Sequence, residues 1–160
     1  MSSITPCLWF DTEGEEAAEL YTSIVPNSRI LHVARYGEAG PRPAGTAMTV
    51  TFELDGQKFV ALNGGPQFKF TEAVSFQIDC TSQEEVDEYW SRLGEGGDES
   101  QCGWLKDRYG LSWQVIPTRL NELLGDPDPE TSQRVMQAML QMRKIDIATL
   151  EEAAAGAVTR

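Results

Sequence analysis

With 160 residues the chain is long enough for one domain with its own core and needs no disulfide staples. Its 25 acidic against 13 basic residues leave a net charge of −12, and the basic residues form no run that could track a phosphate backbone, which excludes a nucleic-acid partner. No stretch approaches the ~18 continuous apolar residues of a membrane span, and residues 1–6 have neither the basic start nor the apolar core of a signal peptide.

Residues 4–10 alternate as a strand, with Ile4, Leu8 and Phe10 on one face and Thr5, Cys7 and Trp9 on the other; Pro6 suits a sheet edge. Thr12 with Glu15 spells a capping box, and Ala17, Leu20, Tyr21 and Ile24 form the apolar stripe of a helix that stops near Pro26. Strands are predicted over 29–36, 46–54 and 57–63, the last two joined by the hairpin signal Asp55-Gly56. Gly64-Gly65-Pro66 breaks the third.

The pattern then restarts. Residues 73–80 read as a strand with Val74, Phe76, Ile78 and Cys80 on one face. A helix follows with the stripe Val86, Tyr89, Trp90 and Leu93, and short strands over 103–106 and 111–116 flank the turn Asp107-Arg108-Tyr109-Gly110. The two helix stripes repeat at an offset of 69, whereas Leu8 and Ile78, like Phe10 and Cys80, lie 70 apart. One residue has slipped in the link between strand and helix. Beyond Pro117 a helical turn or two over 119–124 precedes a helix capped by Asp128 with Pro129 at its first position. Val135, Met136, Met139, Leu140 and Met142 are expected on one side of it, and Asp146 caps a last helix ending at Gly156. The expected organisation is α+β: a domain over 1–118 made of two modules, 4–65 and 73–117, with a helical tail over 119–160 that is no independent domain.

Three cysteines without a C-x-x-C pair argue against a disulfide framework or a zinc ribbon; Cys7, Cys80 and Cys102 are expected in apolar strand-like stretches of a cytoplasmic protein. The single histidine, His32, offers no ligand set for a metal, and no G-x-G-x-x-G or G-x-S-x-G occurs. Asn63, Ser75, Gln77 and Gln114 are polar residues inside apolar strands, and each needs a partner. Together with Trp9, Phe59 and Trp104 they have the make-up of a small-molecule cleft, aromatic walls with few polar groups.

The strings Asn63-Gly64-Gly65-Pro66, Cys102-Gly103-Trp104-Leu105-Lys106-Asp107-Arg108-Tyr109-Gly110 and Ser112-Trp113-Gln114-Val115-Ile116-Pro117 resemble the phosphonate-operon-B-like (PhnB-like) branch of the glyoxalase, or vicinal oxygen chelate, superfamily, often labelled 3-demethylubiquinone-9 3-methyltransferase-like. The resemblance covers residues 4–142. It implies paired βαβββ modules, each curved over a cleft, in a homodimer. Superfamily enzymes hold a metal on four cleft-facing positions, which fall here at Thr5, Ala61, Ser75 and Gln114, none of them a histidine or carboxylate. The expectation is therefore a homodimer without metal or other cofactor that binds a small molecule through Trp9, Phe59, Asn63, Ser75, Gln77, Trp104 and Gln114. The alternative is a lyase, isomerase or dioxygenase of the same fold with an unconventional metal site. Methyl transfer is not expected, since the chain has no glycine-rich donor loop.

Overall fold

Alternating and helical apolar patterns follow one another twice, and the chain folds accordingly. A computed structural model describes residues 2–156; Met1 and the last four residues of the expected tail, 157–160, lie outside the described residues. The first module contains β1 (Cys7–Phe10), α1 (Gly14–Ile24), β2 (Ser28–Arg35), β3 (Ala47–Leu54) and β4 (Gln57–Asn63). The second contains β5 (Ser75–Cys80), α2 (Gln83–Gly94), β6 (Asp98–Glu99), β7 (Trp104–Lys106) and β8 (Ser112–Pro117). Three helices follow, α3 (Thr118–Leu124), α4 (Pro129–Met139) and α5 (Ile147–Ala154).

Each module forms a four-stranded sheet, in the order β1-β4-β3-β2 and β5-β8-β7-β6. The first strand runs parallel to the last in both, and the remaining pairs are antiparallel. The fold is α+β with paired βαβββ modules and C-terminal helices. The chain divides into two compact units with the boundary between Phe70 and Thr71. The two-residue β6 has no sequence signal, because Asp98 and Glu99 show no apolar alternation.

In the first unit Leu8, Phe10, Val50, Phe52, Phe59 and Ala61 are buried, as are Ala17, Ala18, Tyr21 and Ile24 of α1. Phe52 and Phe59 stack with ring centroids 5.4 Å apart. Burial of each large side chain contributes about 1.5–3 kcal/mol. Asp55 and Gly56 both take positive φ, 45° and 87°, as the tight hairpin demands. In the second unit Val86, Trp90 and Leu93 of α2 are buried, as are Cys80, Leu105, Trp113 and Val115 of the sheet.

The links after β1 and β5 explain the slip between offsets 69 and 70. Three residues separate Phe10 from Gly14, but two separate Cys80 from Gln83. Ser82 caps α2 with its own side chain, accepting from the Glu85 N–H at 3.2 Å, and the Glu85 carboxylate reaches back to the Thr81 N–H. Thr12 does not cap α1, contrary to the capping-box pattern. The cap position is Glu13 with no side-chain bond, and the Gly14 N–H donates instead to Asn63 Oδ1 at 2.7 Å.

The tail is fastened within the second unit. Ile116, Leu120, Leu123, Val135, Ile145 and Leu150 form one buried cluster. The Gln83 side chain donates to Ile145 O and accepts from the Ile147 N–H, and Lys144 pairs with Asp87 at 2.7 Å. The expected apolar side of α4 splits. Val135 is buried and Met139 half-buried against the cluster, while Met136 and Leu140 are exposed. A second correction concerns Cys102, which lies in a turn with φ 59° rather than in a strand. Cys102 and Gly103 donate their N–H groups to Met142 O and Arg143 O, both at 2.8 Å. Among the described residues no helix is long and apolar enough to cross a membrane.

Candidate binding face

Strand alternation leaves each sheet one face packed on its helix and one more open face, which on the second sheet the tail cluster covers at its Ile116 end. On β7, β8 and β5 the register aligns Trp104 with Gln114 and Gln114 with Gln77. The next row aligns Lys106 with Ser112 and Ser112 with Ser75. Side chains two apart on a strand share a face, so Ser75, Gln77, Trp104 and Gln114 are neighbours on the open side of the second sheet. Gln114 Nε2 donates to Ser75 Oγ at 2.9 Å, and Gln77 Nε2 donates to Asp79 Oδ1 at 2.8 Å. The amides are thus oriented by neighbours but keep unused hydrogen-bonding capacity.

A cavity of about 310 Å³ adjoins this face, lined by Glu72, Asp98, Glu99, Ser100, Trp104, Leu105, Lys106 and Ser112. Its size falls at the lower end for small-molecule sites. Lys106 pairs with Glu72 and holds that carboxyl below its ordinary value of 4.5 through their hydrogen bond. Glu99 accepts the Trp90 indole N–H at 2.8 Å. Ser112 is 1% exposed, and its hydroxyl has no hydrogen-bond partner among the described residues. Glu72, Asp98 and Lys106 carry no sequence signal, because a loop, a two-residue strand and a third strand supply them; only the register joins them.

The other expected residues lie elsewhere. Trp9 is on the open face of the first sheet, half-buried, with its N–H on Gly65 O at 2.9 Å and its ring edge-on to Phe68 at 4.9 Å. A side chain at Gly64 would overlap the Trp9 ring. Phe59 and Asn63 are buried on the covered face, aligned with Phe52 and Phe10. The cleft expected from the sequence includes both with Trp9, but Phe59 stacks on Phe52 in the core. Asn63 is spent on Gly14, on Ala47 O and, through its own carbonyl, on the Tyr36 hydroxyl. Ala61, carried over as a ligand position, shares that covered face and is 1% exposed.

Two such modules, each with one sheet face left open, define a protein of the glyoxalase, or vicinal oxygen chelate, superfamily. The chain belongs to the 3-demethylubiquinone-9 3-methyltransferase family, whose model matches residues 2–116, and within the superfamily it is PhnB-like. It is 35% identical to a solved structure described as a putative 3-demethylubiquinone-9 3-methyltransferase, PhnB protein, from Bacillus cereus (TM-score 0.68, covering 72% of this chain and 99% of that one). Protein PA1353 from Pseudomonas aeruginosa shares the fold at 20% identity (TM-score 0.61, 73% and 98% covered). So does the fosfomycin resistance protein FosX from Listeria monocytogenes at 18% identity (TM-score 0.53, 78% and 98% covered). No curated protein matches the chain.

The superfamily implies a divalent metal, and the donors present do not fit one. Thr5, Ser75 and Gln114 offer a hydroxyl or an amide, and Ala61 offers nothing. His32 is exposed on β2 beside Thr51. Among the described residues no three His, Cys, Asp or Glu side chains gather as a metal site.

Proposed function

We propose that this PhnB-like protein binds an uncharged or cationic, partly apolar small molecule on the open face of the second sheet, with no metal held by its side chains. The observation that carries this reading is the contiguous set Trp104, Gln114, Gln77 and Ser75 beside a cavity. Trp104 supplies contact area at low entropic cost, and the amides and hydroxyl orient the ligand. The role is that of a sequestering or resistance-type binding protein. The methyltransferase name is a family label: the two sheets are mostly antiparallel, and no glycine-rich loop joins a strand to a helix to cradle a donor.

The working form is a cytoplasmic homodimer, checked by light scattering of the purified protein. A thermal-shift screen of small molecules tests binding. At least one saturable hit is expected, weakened by Trp104→Ala and Gln114→Ala and unaffected by chelators. A stoichiometric divalent ion retained by the purified protein, with hits that vanish on its removal, contradicts the reading.

A further inference from the structure

We propose that the cavity beside β6 and β7 selects a ligand with two separated groups, a protonated amine at Asp98 and a hydrogen-bonding hydroxyl at Ser112. The inference rests on the open face of the second sheet being the binding face, and it names the ligand's chemistry there. Two independent observations carry it. The first is charge. Glu72, Asp98 and Glu99 outnumber Lys106 in the lining, and the ion pair with Lys106 occupies Glu72 while the Trp90 indole occupies Glu99. Asp98 has no ion pair among the described residues. The second is the Ser112 hydroxyl, buried without a partner at the same cavity.

A buried hydroxyl left unsatisfied is a cost to the free protein that a ligand group can remove. The register sets the spacing. Asp98 aligns with Lys106 and Lys106 with Ser112, so Asp98 and Ser112 stand two strands apart, about 10 Å. Lys106, between them, turns to Glu72. A ligand spanning the gap lies beside Trp104, one step along the same face, whose ring favours an aromatic or aliphatic middle and tolerates a cation near it.

Tyramine has this layout, an ammonium and a hydroxyl at opposite ends of an aromatic ring; 4-ethylphenol lacks the amine and phenethylamine lacks the hydroxyl. The full-length protein is titrated with each while the Trp104 indole N–H is followed by NMR. Tyramine is expected to give a saturable shift and to bind more tightly than either truncated probe. Asp98→Asn should weaken tyramine by about tenfold and leave 4-ethylphenol unchanged, and Ser112→Ala should weaken tyramine by about fivefold and leave phenethylamine unchanged. Ser112→Ala should melt no lower than the parent, since it removes an unpaired buried hydroxyl. Tyramine that fails to move Trp104 at millimolar concentration overturns the inference. Equal binding of tyramine and 4-ethylphenol at Trp104, indifferent to Asp98→Asn, also overturns it while leaving the binding face intact. Saturable binding that moves other indoles and never Trp104 removes both.

Discussion

Asn63, at the end of β4, caps α1 by accepting the Gly14 N–H at 2.7 Å. The helix start therefore depends on a residue 49 positions away rather than on its own Thr12. Asn63 Nδ2 also donates to Ala47 O at 3.1 Å, so one buried amide joins α1, β3 and β4. Asn63→Ala strands two buried backbone groups and should destabilise the fold by about 2 kcal/mol, a loss of roughly 5 °C in melting temperature. Asn63→Asp keeps the acceptor and loses the donor, and should fall between. Thermal unfolding checks both, and Thr12→Ala should be near neutral.

Asp107 governs the β7–β8 turn. It is 2% exposed, its Oδ1 accepts the N–H groups of Tyr109 and Leu111, and its Oδ2 accepts the Trp113 indole N–H at 2.9 Å. Asp107→Ala should cost about 3 kcal/mol in urea unfolding. Trp113→Phe removes the indole donor, so the double variant should cost less than the sum of the single ones.

The cysteines differ in reactivity. Cys80 is fully buried, and burial, then the charges of Glu85 and Asp79, push its thiol up to about 12. Cys7 is exposed, although partial desolvation raises its thiol above the ordinary 9.0. A thiol reagent should label Cys7 in the native protein, faster as pH rises, and Cys80 only on unfolding. Labelling followed by mass spectrometry reads this directly.

Attachment of the tail should weaken in acid. Hydrogen bonds from Lys144 and then Gln83 hold the Asp87 carboxyl below its ordinary 3.8. A carboxyl lowered in the folded state adds stability that is fully present above its unfolded value and is lost as pH falls through the lowered one. Protection factors at 145–150, taken relative to the intrinsic exchange rate at each pH, should therefore fall below about pH 4. Asp87→Asn should exchange faster at neutral pH and lose part of that acid dependence.

Much of the fold is legible in the sequence because apolar period decides it. Ala17, Tyr21 and Ile24 and their counterparts Val86, Trp90 and Leu93 are buried as their spacing predicts. Alternation also puts Trp9 and Trp104 on open faces. Phe59 stacks in the core because parity sets it opposite Phe52, and Asn63, with the parity of buried Ala61, spends its amide on Gly14 and Ala47. Asn63, Gly64 and Gly65 work in packing, as the α1 cap, the floor under Trp9 and the acceptor of its N–H. The cavity beside Asp98 and Ser112 is set by the register across β6, β7 and β8 and by the loop that carries Glu72, which no apolar period encodes.

The most direct test is side-chain amide NMR of the protein saturated with any ligand found by screening. Binding on the open face of the second sheet requires the Gln77 and Gln114 amide resonances to shift while that of Asn63, on the covered face of the first, stays put. Shifts at Asn63 with none at Gln77 or Gln114 would contradict the account.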